Sequence, residues 1–301
     1  MPTTTSEGLT FTYETHGNSN DPAILLIMGL GMQLTSWPEI FCQGLVDQGF
    51  YVIRFDNRDS GLSSKLDHLG KPNLIWAHLR SMLRLPISAG YTLADMAKDA
   101  IAVLDAVGLE KAHIVGASMG GMIAQVVAAQ YPERTLSLTS IMSTTGRRGL
   151  PGPTPAARRA LLSRPSQPDN LDNVVQHFSN VYRSIGSPAY PTPEDVLRKR
   201  VAANIKRNVC PAGVLRQLAA IGASGDRVNL LKALRTPTLV IHGVADPLVP
   251  IEGGRDTAHL VPGATLREIE GMGHDFPAAL NPTLMQMIGA HCKGLPVPEK
   301  L

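Results

Sequence analysis

Ser118 stands at the centre of the pentapeptide Gly116-Ala117-Ser118-Met119-Gly120, directly after the apolar run Ala112-His113-Ile114-Val115 and at the head of a helix-forming stretch from Met119 to Tyr131. A serine at a sharp strand-to-helix turn is a candidate nucleophile, because the turn forces its backbone into a left-handed geometry and holds the hydroxyl out above the sheet. Its neighbours two positions away must then lack a Cβ, which would strike the turn or hold the helix off the strand. Gly116 and Gly120 meet that requirement. The same string also occurs in ordinary turns, so the rest of the chain has to supply the partners. A serine hydroxyl is almost fully protonated near neutral pH; attack needs a base to take the proton, and the base needs an acid to fix its tautomer and stabilise its charge.

Two loops offer those groups. Thr238-Leu239-Val240-Ile241 reads as a strand and runs into His242-Gly243-Val244-Ala245-Asp246-Pro247, where Gly and Pro enforce a turn and Asp246 lies a few residues past the strand end. Thr265 to Ile269 reads as the next strand, and the glycine-rich Glu270-Gly271-Met272-Gly273-His274-Asp275 follows it. Asp246 and His274 are therefore the candidate acid and base, with His291 in a terminal helix as the rival among nine histidines. Acyl transfer also needs donors for the charge that develops on the carbonyl oxygen. The Met119 amide, next after the nucleophile, is one candidate, and the Leu30 amide in the flexible turn Met28-Gly29-Leu30-Gly31 is the other. That turn falls short of a dinucleotide fingerprint, since Leu34 takes the place of the third glycine. There is no His-Glu-x-x-His string and no Cys-x-x-Cys pair, so neither a metal nor another cofactor is expected.

These residues need a frame. Short β-like runs recur at Ala23–Ile27, Phe50–Phe55, His113–Val115, Leu136–Met142, Thr238–Ile241 and Thr265–Ile269, several of them nearly all apolar, as expected of parallel strands covered on both faces. Helical patterns alternate with them. Thr92 is placed to cap a helix in which Leu93, Met96, Ala100, Ile101, Leu104 and Val107 recur at three- and four-residue spacing before Gly108 ends it. Ile75, Leu79, Met82 and Leu83 space out a shorter amphipathic piece, expected to pack as an ordinary surface helix. The alternation predicts an α/β fold, a mostly parallel central sheet with helices on both faces. From about Arg147 to Leu230 the pattern changes to proline-punctuated helical segments such as Ala156–Leu162 and Pro193–Ile205, with no strand-like run. This predicts a core of residues 1–146 and 231–301 interrupted by a helical cap, or lid, over residues 147–230.

At 301 residues and 44% hydrophobic content the chain can bury a full core, and its longest nearly unbroken apolar run, Ala23 to Met32, is half the ~20 residues a membrane-spanning helix needs. Net charge of +3 is too mild to announce a nucleic-acid partner. The balance is uneven, with eleven Arg/Lys against four Asp/Glu between Arg147 and Arg207, a pattern expected of solvated helix faces. Three scattered cysteines, Cys42, Cys210 and Cys292, argue against a disulfide framework. Met1 to Glu7 carries no basic patch leading into an apolar segment, and a cytoplasmic location is expected.

Three motifs at separate positions now agree: Gly-Ala-Ser-Met-Gly at 116–120, His-Gly-Val-Ala-Asp-Pro at 242–247 and Gly-Met-Gly-His-Asp at 271–275. With Met28-Gly29-Leu30-Gly31 and Arg54-Phe55-Asp56-Asn57-Arg58-Asp59-Ser60-Gly61-Leu62-Ser63, the chain resembles the α/β-hydrolase fold serine esterases, in the capped branch that includes aclacinomycin methylesterase. The resemblance implies a triad of Ser118, Asp246 and His274, an oxyanion hole from the amides of Leu30 and Met119, and a cap at 147–230. Six of the nine histidines, at 16, 68, 78, 113, 177 and 242, precede Asp246, against the order serine, acid, histidine that the fold uses. In one respect the chain departs from the commoner pattern: Met28 stands where a histidine usually precedes the oxyanion glycine. The implied activity is hydrolysis of a carboxylic ester through an acyl-enzyme, acting on a small molecule, with no nucleic acid, no membrane span and a homo-oligomer left open. Carbon–carbon bond hydrolysis, acyl transfer, perhydrolysis and a non-catalytic ligand-binding protein on the same scaffold are the alternatives. Dehalogenase or epoxide hydrolase chemistry would need an aspartate at position 118.

Overall fold

The computed structural model describes residues 1–83 and 85–299. Eight strands form one sheet: β1 (Thr3–Ser6), β2 (Leu9–His16), β3 (Ala23–Ile27), β4 (Tyr51–Phe55), β5 (Ala112–Ala117), β6 (Thr135–Ile141), β7 (Thr238–Gly243) and β8 (Thr265–Ile269). Their spatial order is β1-β2-β4-β3-β5-β6-β7-β8. Every pair from β4 to β8 is parallel, while β1 and β2 pair antiparallel with each other and β2 antiparallel with β4. The six runs expected from apolar content are β3 to β8. The N-terminal hairpin was not among them, because it alternates threonine and serine with partly buried residues and turns at Glu7-Gly8, both at positive φ.

Each residue of β3, β4, β5 and β7 is buried, as parallel strands between two helical layers must be. The two-residue pleat divides them: Leu25 and Ile27 join one core cluster, Ile24 and Leu26 the other. The first cluster is closed by α3 (Leu93–Ala106) and α4 (Met119–Gln130), the second by α1 (Glu39–Val46) and α11 (Asn281–Cys292). Thr92 and Asp95 cap α3 reciprocally: Thr92 Oγ1 accepts from the Asp95 amide and Asp95 Oδ2 accepts from the Thr92 amide at 2.8 Å. Gly108, at φ 73°, follows its end.

The polypeptide between β6 and β7 holds α5 (Pro155–Leu162), α6 (Leu171–Ile185), α7 (Glu194–Arg207), α8 (Pro211–Ala223) and α9 (Val228–Ala233). Val175 of α6 packs with Leu197 and Val201 of α7 in a small core of its own. By α9 the chain is back on the sheet, against α4 and α10 (Glu252–Leu260). The amphipathic piece forms α2 (Leu74–Met82) beside α8, but Ile75 is 85% exposed and Met82 69%. Its apolar stripe faces solvent instead of packing; periodicity identifies a helix without saying what covers it. No helix among the described residues is long and apolar enough to cross a membrane.

At the opposite end of β5 from Ser118, His113 bonds through Nδ1 to Ser137 Oγ at 2.8 Å, and His291 Nε2 donates to the Leu138 carbonyl at 3.1 Å. Burial, helped by the charge His291 would carry nearby, pushes His113 down to about 4; burial also lowers His291. Both are neutral in the folded chain while the unfolded chain takes up protons near the ordinary histidine value of ~6.5. Stability is therefore full above ~6.5 and lost as pH falls towards 4, His113 alone accounting for up to about 3 kcal/mol. Thermal melts should show Tm falling between pH 7 and pH 4.5, and less steeply in His113→Asn; parallel profiles for the two proteins would refute the assignment to His113.

Candidate active site

Ser118 lies between the last residue of β5 and the first of α4, with φ 57° and ψ −121°. A non-glycine residue there costs about 1–3 kcal/mol and persists only where its surroundings over-determine it. They do. The Ser118 amide donates to the Ile141 carbonyl at 2.9 Å, and its carbonyl accepts from the Met122 amide at 3.1 Å and Ser143 Oγ at 2.8 Å. A Cβ on Gly116 would lie 2.1 Å from the Gly120 carbonyl oxygen, and one on Gly120 would lie 2.0 Å from the Ile27 carbonyl oxygen. The backbones of α4, β5 and β3 thus approach as closely as hydrogen in place of Cβ permits.

The structure brings Ser118, His274 and Asp246 into one row. His274 Nε2 accepts from Ser118 Oγ at 3.0 Å, and His274 Nδ1 donates to Asp246 Oδ2 at 2.6 Å. Asp246 is buried, and its Oδ1 accepts from the amides of Leu248 and Val249, each at 2.8 Å. With one oxygen on the turn and the other on the imidazole, the carboxylate cannot rotate away. His242 lies behind it, donating from Nε2 to the Val249 carbonyl at 2.7 Å, and burial lowers its pKa against the pull of that carbonyl. The rival His291 is occupied on the Leu138 carbonyl, outside this row.

The loop carrying His274 is tied to the end of α6. The His274 amide donates to the Ile185 carbonyl at 2.7 Å, the Gly273 amide donates to Ser187 Oγ at 2.9 Å, and Ser187 Oγ donates in turn to Asp275 Oδ1 at 2.5 Å. Burial raises the Asp275 carboxyl despite that hydroxyl. Nothing in the sequence around Ser187 signals this role, because its partners are more than eighty residues away.

Met119 follows Ser118 in the chain, and Gly29, which precedes Leu30, packs against the serine side chain. Met119 opens α4, so its amide is one of the helix's orphan donors. Leu30 follows Gly29, where an added Cβ would come within 3.1 Å of Ser118 Cβ and 3.6 Å of its Oγ. Neither amide takes part in the loop and turn backbone hydrogen bonds among the described residues. The groups on either side of Leu30 are occupied: the Met28 carbonyl accepts from Asn57 Nδ2 at 2.8 Å, the Gly31 amide donates to Gln217 Oε1 at 2.8 Å, and the Met32 amide donates to the Gly29 carbonyl at 3.1 Å.

Asp56, Arg58 and Asp59, in the loop after β4, hold structure together. Asp56 accepts from the Leu34 and Leu62 amides at 2.7 and 2.8 Å and pairs with Arg207 of α7 at 2.8 Å. Arg58 grips Asp99 with two bonds of 2.6 and 2.7 Å, and Arg216 of α8 grips Asp59 with two of 2.8 and 2.6 Å. Burial pushes the Asp59 carboxyl up, but Arg216, the Leu66 amide and the Tyr91 hydroxyl outweigh it and leave it below the ordinary carboxylate value. Among the described residues no cluster of three or more His, Cys, Asp or Glu is arranged to hold a metal ion. Arg216→Met should cost about 3–5 kcal/mol, since it leaves the fully buried Asp59 charge without its partner; denaturant unfolding measures this, and a loss below about 1 kcal/mol would contradict it.

A family model described as the alpha/beta hydrolase fold matches residues 22–277. Rhodomycin D methylesterase of Streptomyces peucetius is 32% identical over 99% of this chain and 100% of its own length, and the enzyme of the same name from Streptomyces sp. strain C5 is 30% identical over the same shares. Among solved structures, a meta-cleavage product hydrolase from Pseudomonas fluorescens IP01 superposes with a TM-score of 0.75 at 19% identity, covering 98% of both chains. Its likeness reaches the fold alone, and it agrees with the strand order and helical layers described above. By the family match and the full-length relatives, the chain belongs to the alpha/beta hydrolase fold family.

Proposed function

We propose that this protein is a serine hydrolase that cleaves a carboxylic ester through an acyl-enzyme. The observation that carries the reading is the unbroken row Ser118, His274, Asp246, in which one imidazole bonds to the serine hydroxyl with one nitrogen and to a buried carboxylate with the other. As Ser118 Oγ attacks the ester carbonyl carbon, its proton passes to His274 Nε2. Asp246 holds Nδ1–H and stabilises the imidazolium so formed. The oxyanion of the tetrahedral intermediate is received by the amides of Leu30 and Met119. Collapse expels the alcohol, which takes the proton from His274. Water, deprotonated by the same histidine, then attacks the acyl-serine, and the acid is released with Ser118 restored.

Residues 147–230 serve as the cap that shapes the substrate pocket, the reading supported by the contacts of α6, α7 and α8 with the loops that bear His274, Asp56 and Gly31. The names of the two Streptomyces relatives suggest a methyl ester as the bond cleaved. Three free thiols, Cys42, Cys210 and Cys292, support a reducing compartment such as the cytoplasm.

Purified protein should hydrolyse p-nitrophenyl acetate or butyrate, and Ser118→Ala should remove all but a trace of that turnover; equal rates for the two would end the proposal. Asp246→Asn keeps the shape of the row but favours the wrong imidazole tautomer, and kcat should drop by about 10³–10⁴ with the fold intact. A loss smaller than tenfold would mean that Asp246 is not the acid. A screen of methyl and longer alkyl esters, with Ser118→Ala beside wild type, tests the alcohol preference.

A further inference from the structure

Gln217 is a wholly buried amide on α8, and every polar atom of its side chain is used. Its Oε1 accepts from the Gly31 amide at 2.8 Å, and its Nε2 donates to the Arg58 carbonyl at 2.8 Å and to Ser60 Oγ at 3.2 Å. One side chain therefore joins three separate pieces of chain: α8, the loop after β3 and the loop after β4. Gly31 has φ +65°, and a Cβ there would lie 2.7 Å from Val214 Cγ2, so α8 is seated directly on this turn. Arg216, its neighbour on α8, is anchored by Asp59, which gives Gln217 a fixed base from which to reach.

We infer that Gln217 is a positioning residue for the oxyanion hole, holding the Leu30 amide in register with Ser118 from the helical segment between β6 and β7. This rests on the serine-esterase reading above. The turn Met28-Gly29-Leu30-Gly31 contains two glycines, one of them at positive φ, and such a backbone samples many orientations unless it is tied. Asn57 ties its start through the Met28 carbonyl, and Gln217 ties its end through the Gly31 amide. The Leu30 N–H shares its peptide with the Gly29 carbonyl, which the Met32 amide holds at 3.1 Å; with the next peptide fixed through the Gly31 amide on Gln217, the Leu30 N–H keeps one direction. Because the oxyanion exists only in the transition state and the tetrahedral intermediate, loosening this tie weakens transition-state binding and leaves ground-state binding of the ester nearly untouched.

The test compares wild type with Gln217→Met, which fills a similar volume without an acceptor, Gln217→Asn, which keeps the amide but is one methylene too short to span the gap, and Gln217→Glu, which retains an acceptor for the Gly31 amide. Activity on a p-nitrophenyl ester is normalised to active sites counted by stoichiometric labelling of Ser118 with a fluorophosphonate. For Gln217→Met and Gln217→Asn, kcat per labelled site should fall about 10- to 100-fold while KM stays within about threefold. The Ki of an alkyl trifluoromethyl ketone, whose adduct with Ser118 carries an oxyanion, should rise in proportion to the loss of kcat/KM. Gln217→Glu, whose carboxyl when protonated keeps an acceptor for the Gly31 amide and a donor for the Arg58 carbonyl, should recover part of the Gln217→Met loss. Gln217→Asn carries the comparison alone if Gln217→Met does not fold. The inference is overturned if kcat per labelled site is unchanged and only the fraction of folded protein drops, if KM rises with kcat preserved, or if the ketone Ki stays constant. Wild type without Ser118-dependent turnover or labelling would instead refute the esterase reading itself, so the two failures are distinguishable.

Discussion

A left-handed serine packed between backbones that touch is the constraint on which the rest of this molecule depends. Ser118 adopts φ 57° because β5 must end, turn and enter α4 within a single residue. The turn stays sharp because Gly120 lies against the Ile27 carbonyl and Gly116 against that of Gly120. The strain, about 1–3 kcal/mol, is held by the hydrogen bonds of Ser118 to Ile141, Met122 and Ser143 and by the packing of α4 on the sheet. The same close approach brings Gly29, and with it the Leu30 amide, beside the serine side chain. The serine turn and the Gly29 turn thus follow from one packing event.

His274 is placed by different means. His274 stands on a loop that would be free to move in a strand-to-helix connection of ordinary composition. Here it is bracketed: Asp246 holds its side chain from the β7 loop, and the end of α6 holds its backbone through the Ile185 carbonyl and Ser187. Gly273 allows that contact, since a Cβ there would lie 2.3 Å from the Gly186 carbonyl oxygen. The segment between β6 and β7 is therefore built into the site as well as set above it. The buried pairs Arg207–Asp56 and Arg216–Asp59 extend the same connection to the loop after β4. A rigid hinge opening of the whole segment would have to break these buried charges apart, at a cost of several kcal/mol each.

Much of this was legible in the chain because it is encoded locally. Apolar runs marked β3, β5 and β7, since a strand buried on both faces has little choice but to be apolar along its length. The order of Ser118, Asp246 and His274, each just past a strand end, follows from the same pattern, because parallel strands deliver the loops at their carboxyl ends to one edge of the sheet. Thr92 announced the start of α3. The sequence by itself thus determined the elements, the core and the side chains suited to acyl chemistry.

Tertiary structure decided what depends on partners remote in the chain. The N-terminal hairpin became strand by the pairing of β1 with β2 and of β2 with β4. The stripe on α2 has the spacing of a packed face and is exposed, since its period is a property of the helix and its burial a property of neighbours. Ser187, Asn57, Arg216 and Gln217 carry no local signature, as a single polar residue on a helix or loop has the same neighbours in sequence whether it faces water or a buried amide. Only folding, by closing separations of up to 186 residues between Gly31 and Gln217, gave these side chains partners and the reacting row its geometry.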